Sequence, residues 1–275
     1  MNVIVLIKEV PDMDRVRFDT EKGLVDRSSA EAEINPFDLN ALQAAVNLKK
    51  NDGVHITALT MGPPKAERTV RDACARGADQ GILLSDPGFG GADTWATAAT
   101  LAAGIKKIGS FDLIICGEKS VDGDTAQVGA EVAEILGIPH SYYVEEILAV
   151  TESGIRVAVE GICGRQQMRE MKLPALISVT KNTNVVELPE VIRKLWSLKA
   201  EVLRLNLHDI SEHLSGESSG LKGSKTKVLK IHMPKETERN NRIYRDNFND
   251  FQRDVLMELS KNNILRNRGG GDEKA

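Results

Sequence analysis

Apolar residues recur along this chain in two alternating rhythms. The first run, VIVLI at residues 3–7, is continuous and rich in β-branched side chains, the pattern of a strand buried on both faces. Similar runs recur at 54–60 (VHITALT), 81–84 (GILL) and 113–116 (LIIC). Between them lie segments at helical spacing. Residues 37–50 place Leu39, Leu42, Ala45, Val46 and Leu48 near one side and run into the stop signal Asn51-Asp52-Gly53. Residues 66–76, 94–108 and 127–136 repeat the rhythm, the last closed by Gly137 and Pro139. Strands alternating with helices predict the α/β class: an open, mostly parallel sheet with helices on both faces. Such sheets bind ligands beyond the C-terminal ends of their strands, near a topological switch point. That rule singles out the residues just after Ile7, Thr60, Leu84 and Cys116.

From about Tyr142 the pattern changes. Residues 147–150 and 154–160 read as a hairpin that extends the sheet, and 175–179 as a last core strand. Residues 191–200 form a short basic helix or loop, and 215–224 (SGESSGLKGS) read as a Gly/Ser linker. Residues 240–264 predict one amphipathic helix with Phe248, Phe251, Val255, Leu256, Leu259 and Ile264 on a stripe, and 266–275 are expected to be disordered. A boundary near residue 200 therefore separates an α/β domain, 1–200, from an extended C-terminal arm, 201–275, that ends in a helix.

Composition narrows the function classes. In a chain of 275 residues, 41% hydrophobic and 28% charged, there is enough apolar surface for a core without staples. The net charge, 36 − 40 = −4, argues against nucleic acid as the main partner. Three cysteines, Cys74, Cys116 and Cys163, are far apart with no CxxC pair, against a disulfide framework, a zinc site or an iron–sulfur cluster. No metal is expected, and a reducing cytoplasm fits. The N-terminal apolar run is too short for a signal-peptide core, and no stretch of 18 apolar residues predicts membrane insertion.

The strand end after Cys116 is the most informative place. Gly117 opens a polar loop, and Asp122, Asp124 and Thr125 are N-cap types for a helix beginning near Thr125. Gly123, Ala126 and Gly129 are small enough to admit a phosphate to the backbone. The segment reads either as a diphosphate-binding turn or as a capped helix without a ligand. Met61-Gly62-Pro63-Pro64 follows another strand and leaves room for an adenine or ribose, or is a plain turn into a helix. In Asn35-Pro36-Phe37-Asp38 the proline holds Asn35 extended, and Asp38 either caps the helix or holds a ribose hydroxyl, with capping favoured locally. The loop Phe89-Gly90-Gly91-Ala92-Asp93-Thr94 is a second candidate phosphate turn, without the GK[ST] of a Walker A loop. No GxGxxG and no GxSxG triad pattern occurs, so no catalytic residue is assigned.

Taken together and in order, Ile7-Lys8-x-Val10-Pro11-Asp12, Asn35-Pro36-Phe37-Asp38, Met61-Gly62-Pro63-Pro64, Arg76-Gly77-Ala78-Asp79, the segment 121–129 and Lys172-Leu173-Pro174 resemble the beta subunit of electron-transfer flavoproteins over roughly residues 1–200. The resemblance implies an adenine-nucleotide alpha-hydrolase-like domain with no activity alone. Its partner would be an alpha subunit carrying the electron-transferring FAD, onto which the arm wraps. Nucleotide contacts carry over to Lys8, Asn35, Pro36, Phe37, Asp38, Met61, Gly62, Asp122, Gly123, Asp124, Thr125, Ala126, Gln127, Val128, Gly129 and Ala133. Ordinary members hold a structural AMP there. Electron-bifurcating members hold a second FAD, which takes electrons from NADH and sends one to ferredoxin or flavodoxin. The loop Asp122-Gly123-Asp124-Thr125-Ala126-Gln127-Val128 favours the bifurcating type, Gly123 giving backbone room for a dinucleotide. So does the Gly-rich loop, where Phe89, Gly90, Gly91, Asp93, Thr94 and Thr97 are candidates for NADH or phosphate. The recognition loop falls at 181–199, with Leu188, before Pro189, as an anchor on a flavin dehydrogenase of the acyl-CoA or lactate type. The pattern departs at His140-Ser141-Tyr142-Tyr143, around Cys163, after Thr180 and loosely over 201–275. A free-standing nucleotide-binding regulatory module of the stress-protein type would need neither the Leu188 loop nor the arm. An adenylating enzyme should carry an SGGxDS-like loop where this chain has Lys8-Glu9-Val10-Pro11-Asp12.

Overall fold

A computed structural model describes residues 1–12, 15, 17–19, 24–26, 31–161, 165–227, 243–245, 247–262 and 264. The first half runs β1 (Asn2–Leu6), β2 (Glu9–Pro11), β3 (Arg17–Asp19), β4 (Leu24–Asp26), β5 (Ala32–Ile34), α1 (Pro36–Asp52), β6 (His55–Met61), α2 (Glu67–Arg76), β7 (Gln80–Leu84), α3 (Thr94–Ile108) and β8 (Leu113–Gly117). The second runs α4 (Val128–Leu136), β9 (His140–Val150), β10 (Gly154–Val159), β11 (Gln167–Lys172), β12 (Ala175–Val179), α5 (Val191–Ser197), β13 (Val202–Leu205), α6 (Gly220–Gly223) and α7 (Phe248–Lys261).

The unbroken apolar run of β1 has a physical reason. Val3, Val5 and Ile7 enter one core layer with Leu42 and Ala45 of α1, while Ile4 and Leu6 enter the opposite layer with Leu101 and Ile105 of α3 and Val132 of α4. Each such side chain contributes about 1.5–3 kcal/mol when taken from water. A strand with two apolar faces belongs mid-sheet, and the order is β11-β10-β9-β12-β8-β1-β6-β7-β13 in nine strands. From β13 through β12 to the start of β9 the strands pair in parallel; β9, β10 and β11 pair antiparallel. β1 pairs with β6 on one side and β8 on the other, so the chain moves outward through β6 and β7 and then returns across β1. The loops leaving β1 and β8 therefore diverge and open the crevice expected at a switch point.

The predicted α/β sheet, its core strands and its first four helices are present. The expected hairpin is β9–β10, but it grows a further edge strand, β11, whose sequence QMREMK is mostly exposed and charged. Such charges suit an edge, since they oppose pairing with other chains. β13 forms the other edge, supplied by the segment read as the start of the arm. The short pairs β2–β5 and β3–β4 lacked a sequence signal.

The linker expectation at 215–224 is overturned. Leu221 N donates to Gly90 O (3.0 Å), and Ser224 Oγ donates to Gly220 O (2.8 Å) and accepts from Asp93 N (2.9 Å). Gly220 has φ +53°, and a Cβ there would collide with Gly88 O. Its glycine thus permits close contact, not slack.

The chain divides into two units, 1–231 and 232–275. In the second, α7 is capped by Asn247, and Tyr244 meets Phe251 edge-on at 5.6 Å between ring centres. Phe248, Phe251 and Leu256 are exposed along it. Residues 240–242, 246, 263 and 266–275 of the expected helix and tail lie outside the described residues. No described helix is long and apolar enough to cross a membrane.

Replacing Gly220 with alanine should cost about 1–2 kcal/mol of local stability from the left-handed backbone, before the clash is counted. The amides of Lys225 and Thr226, which donate to Asp93, then exchange hydrogen about tenfold faster or more, read by hydrogen–deuterium exchange.

Candidate functional site

Two buried side chains at the start of α1 tie the crevice together. Pro36 keeps Asn35 extended (φ −48°, ψ 128°), and Asn35 faces the β8 loop instead of capping the helix. Its Nδ2 donates to Lys119 O (2.8 Å), and its Oδ1 accepts from Val121 N (3.1 Å). Its backbone N donates to Lys8 O (2.9 Å). Asp38, expected to cap or to hold a ribose, is buried and bridges two strand ends. Oδ2 accepts from Lys8 N (2.8 Å) beyond β1, and Oδ1 accepts from Gly117 N (3.2 Å) at the end of β8. Burial pushes its carboxyl up to about 7, against the pull of Asn35 and the two amides. Gly117 is obligatory here: a Cβ would stand 2.6 Å from Asp38 Oδ1 and 2.7 Å from Phe37 Cβ.

The loop 118–127 arches over this junction. Lys8 Nζ meets Asp122 Oδ1 at 2.6 Å and Ser120 Oγ at 3.3 Å. Lys119 pairs with Asp124 at 2.7 Å, and its ammonium lies 5.7 Å from the Phe37 ring centre. The helix does not begin near Thr125, and Asp122, Asp124 and Thr125 do not cap it. It begins at Val128, with Gln127 as an N-cap whose side chain makes no capping bond. Asp124 (φ 52°) and Ala126 (φ 54°) are left-handed, which delays the helix. A Cβ on Gly123 would meet Ser120 Oγ at 3.4 Å and nothing nearer, so no protein atom demands glycine there. Gly129 is different: a Cβ would stand 2.6 Å from Tyr142 Oη and 2.7 Å from Cys116 Sγ. Tyr142 Oη accepts from Ala130 N (2.9 Å) in the first turn of α4, and burial raises its phenol above the usual range. Packing alone thus requires glycine at 129.

Met61 and Gly62 end β6 beside β1, with Gly62 N donating to Leu84 O (3.0 Å). Ala133 is buried in the α4 layer. In the second Gly-rich turn, Phe89 is buried and Gly90 and Gly91 adjoin Leu221. The start of α3 is filled from within: Asp93 caps Ala96 N (3.0 Å) and also accepts from Lys225 N and Thr226 N. Partial burial works the other way, but these donors hold its carboxyl below the usual range. Thr94 Oγ1 donates to Glu131 Oε1 (3.1 Å), and Thr97 is half-buried one turn on. This second turn is separate from the loop 118–127 in its partners, although α3 and α4 pack together.

Leu188 is 89% exposed. Its loop is pinned to α1, not loose: Glu187 N donates to Gln43 Oε1 (3.0 Å), Lys50 pairs with Glu187 (2.8 Å), and Asn40 and Asn184 exchange bonds. Pro189 leads into α5, which Arg193 fastens to α2 through Cys74 O (3.3 Å) and Ala78 O (3.1 Å). Val191, Ile192 and Leu195 are exposed beside Leu188. Sequence reasoning missed Gly117, Lys119 and Tyr142 as framework residues. Only the doubled tyrosine carried a signal.

Chemically, the crevice offers ammonium groups and the backbone of a polar loop, a combination suited to an anion. Among the described residues no cluster could hold a metal ion. Residues 22–208 match the family described as the electron transfer flavoprotein domain. The chain is 43% identical over 231 residues to an electron transfer flavoprotein subunit beta of Clostridium acetobutylicum, covering 84% of this chain and 87% of that one. It is 37% identical over 268 residues to a caffeyl-CoA reductase-Etf complex subunit of Acetobacterium woodii, covering 96% and 100%. It is 36% identical over 240 residues to an acryloyl-CoA reductase electron transfer subunit gamma of Anaerotignum propionicum, covering 85% and 89%.

Asp38→Asn places an amide donor against a backbone N–H and should cost about 1–3 kcal/mol in urea unfolding at pH 5. The sign with pH follows from the raised native value. The unfolded carboxyl ionises near 3.8 and the native one near 7, so the wild type loses stability as pH rises between them, and the variant does not. The gap between the two therefore narrows from pH 5 to pH 7.5.

Proposed function

The chain belongs to the electron transfer flavoprotein family as a beta subunit, and from that premise we propose that it is the FAD-holding, NADH-facing subunit of an electron-bifurcating heterodimer. Its partners in this reading are an alpha subunit with its own FAD, ferredoxin or flavodoxin as the low-potential acceptor, and a flavin dehydrogenase. The names of two relatives, reductases of CoA esters, support the acyl-CoA class over a lactate-oxidising one. The setting is the cytoplasm.

The observation that carries the reading is the loop 118–127 before α4. It spends two left-handed non-glycine residues, next to a Gly123 that no protein atom requires, while Tyr142 takes the Ala130 amide of the first turn behind it. These residues fit a dinucleotide's phosphates. Lys8 and the backbone of the loop 118–127 hold the diphosphate, and Met61 and Gly62 border the adenosine. Asn35 and Asp38 set the spacing of the two loops without touching the ligand. When bound, FAD accepts an electron pair from NADH and can release its electrons singly, which is the cofactor's chemistry. The protein's part is to exclude water, orient the ring and fix the local charge.

Counting the nucleotides released from the chain co-purified with its alpha subunit tests this. Two FAD and no AMP per heterodimer is the expected result. One FAD with one AMP would make it a simple carrier, and neither partner nor nucleotide would sink the reading. Leu188→Ala should weaken binding of the dehydrogenase about tenfold, measured by biolayer interferometry, with nucleotide content unchanged.

A further inference from the structure

We propose that Tyr143 contacts the bound nucleotide: carried outward on a bulge in β9, its ring forms, across β12 from the start of the loop 118–127, an aromatic wall for a planar heterocycle of that ligand. The inference rests on the nucleotide reading above and assigns this residue a role within it.

The bulge is seen from β12. On the β12 side Ile177 faces Ser141 but Val179 faces Val144, so Tyr142 and Tyr143 together oppose Ser178. On the β10 side a separate shift falls at Glu145, between Ala158 opposite Glu146 and Val159 opposite Val144, and Tyr143 keeps its bond to Glu160 N. The extra residue leaves Tyr143 at φ 59°. A bulky side chain in the left-handed region costs about 1–2 kcal/mol and persists where the surroundings enforce it. Bulges of this kind re-aim side chains and gather near functional sites.

The re-aiming gives the two tyrosines different work. Tyr142 turns inward to Ala130 N, with its ring against Gly129 and Cys116. Tyr143 meets it edge-on at 5.9 Å and remains 42% exposed, although the next residue, Val144, is fully buried. A side chain retained only for packing would not be left in water at the cost of a strained backbone. Its neighbours show what it serves. Glu118 N, at the start of the loop 118–127, donates to Val179 O (3.1 Å), and Val179 faces Val144, the residue after Tyr143; the next loop residue, Lys119, is paired to Asp124 and lies near the Phe37 ring. Among the described residues the left-handed non-glycines are Asp124, Ala126 and Tyr143. Two lie in the loop 118–127, and the third lies across β12 from the start of that loop. An exposed aromatic ring at the C-terminal edge of the sheet, across β12 from the start of that loop, matches the flat face of an adenine or an isoalloxazine ring. Stacking of this type is sequence-tolerant and depends on ring area, not on the phenol.

The test uses the as-purified heterodimer and follows exchange of its bound nucleotide for excess labelled AMP or labelled FAD. Tyr143→Asn keeps a residue that tolerates the left-handed region and removes the ring; it should release the nucleotide about tenfold faster. Tyr143→Phe keeps the ring and should stay within twofold of wild type. The Glu160 amide, which donates to Tyr143 O, should keep its hydrogen-exchange protection in both. Faster release of FAD alone places the ring against the flavin, and faster release of AMP places it against adenine; both support the contact. Wild-type release from Tyr143→Asn overturns it, as does equally fast release from Tyr143→Phe, or faster release accompanied by lost Glu160 protection. A wild type without exchangeable nucleotide overturns the underlying reading as well.

Discussion

The carboxyl group of Asp38 is the constraint from which the crevice takes its shape. Parallel strands that diverge at a switch point leave their next backbone N–H groups with no strand partner. Here one side chain from the intervening helix accepts both, from Lys8 and from Gly117. The arrangement needs a short acidic residue one turn into α1 and a residue without Cβ at the end of β8. Asn35 repeats the device one layer outward, on the loop carbonyl and amide of Lys119 and Val121. A site can be preorganised only if its walls hold a fixed separation, and these two side chains set it.

That frame also determines how charge is presented. Lys8 and Lys119 are each engaged by an aspartate of the same loop, Asp122 and Asp124. An incoming anion therefore meets ammonium groups already partly neutralised. Recognition falls more heavily on backbone N–H groups, on ring contacts and on shape. Tight binding by such a site resists salt better than binding through exposed lysines, because less of it is long-range Coulomb attraction.

Much of this was legible in the sequence. Continuous apolar strands and stop signals placed the parallel sheet, and the rule of strand ends led to the loops after β1 and β8. Local capping rules then failed at Asp122, Asp124 and Asp38, all good cap types. Each was claimed by another partner: Asp122 by Lys8 and Asp38 by Gly117, both far away in sequence, and Asp124 by Lys119 within its own loop. Tertiary contacts of that range leave no periodic trace. The segment 215–224 failed for a related reason: glycine read as slack when it was needed for close approach to Gly88 and Gly90. β13 is short, and its amphipathic signal is too weak to separate it from a loop.

The edge strand β13 and the bonds from residues 224–226 to Asp93 come last in the compact unit. Asp93 waits for a partner 133 residues downstream. At ribosomal speeds of about 5–20 residues per second, that interval is on the order of ten seconds. During it β7 has an open edge and the start of α3 lacks its outer clamp. The nascent subunit is therefore most exposed to mispairing late in its synthesis, after the crevice between the loops of β1 and β8 has all its residues.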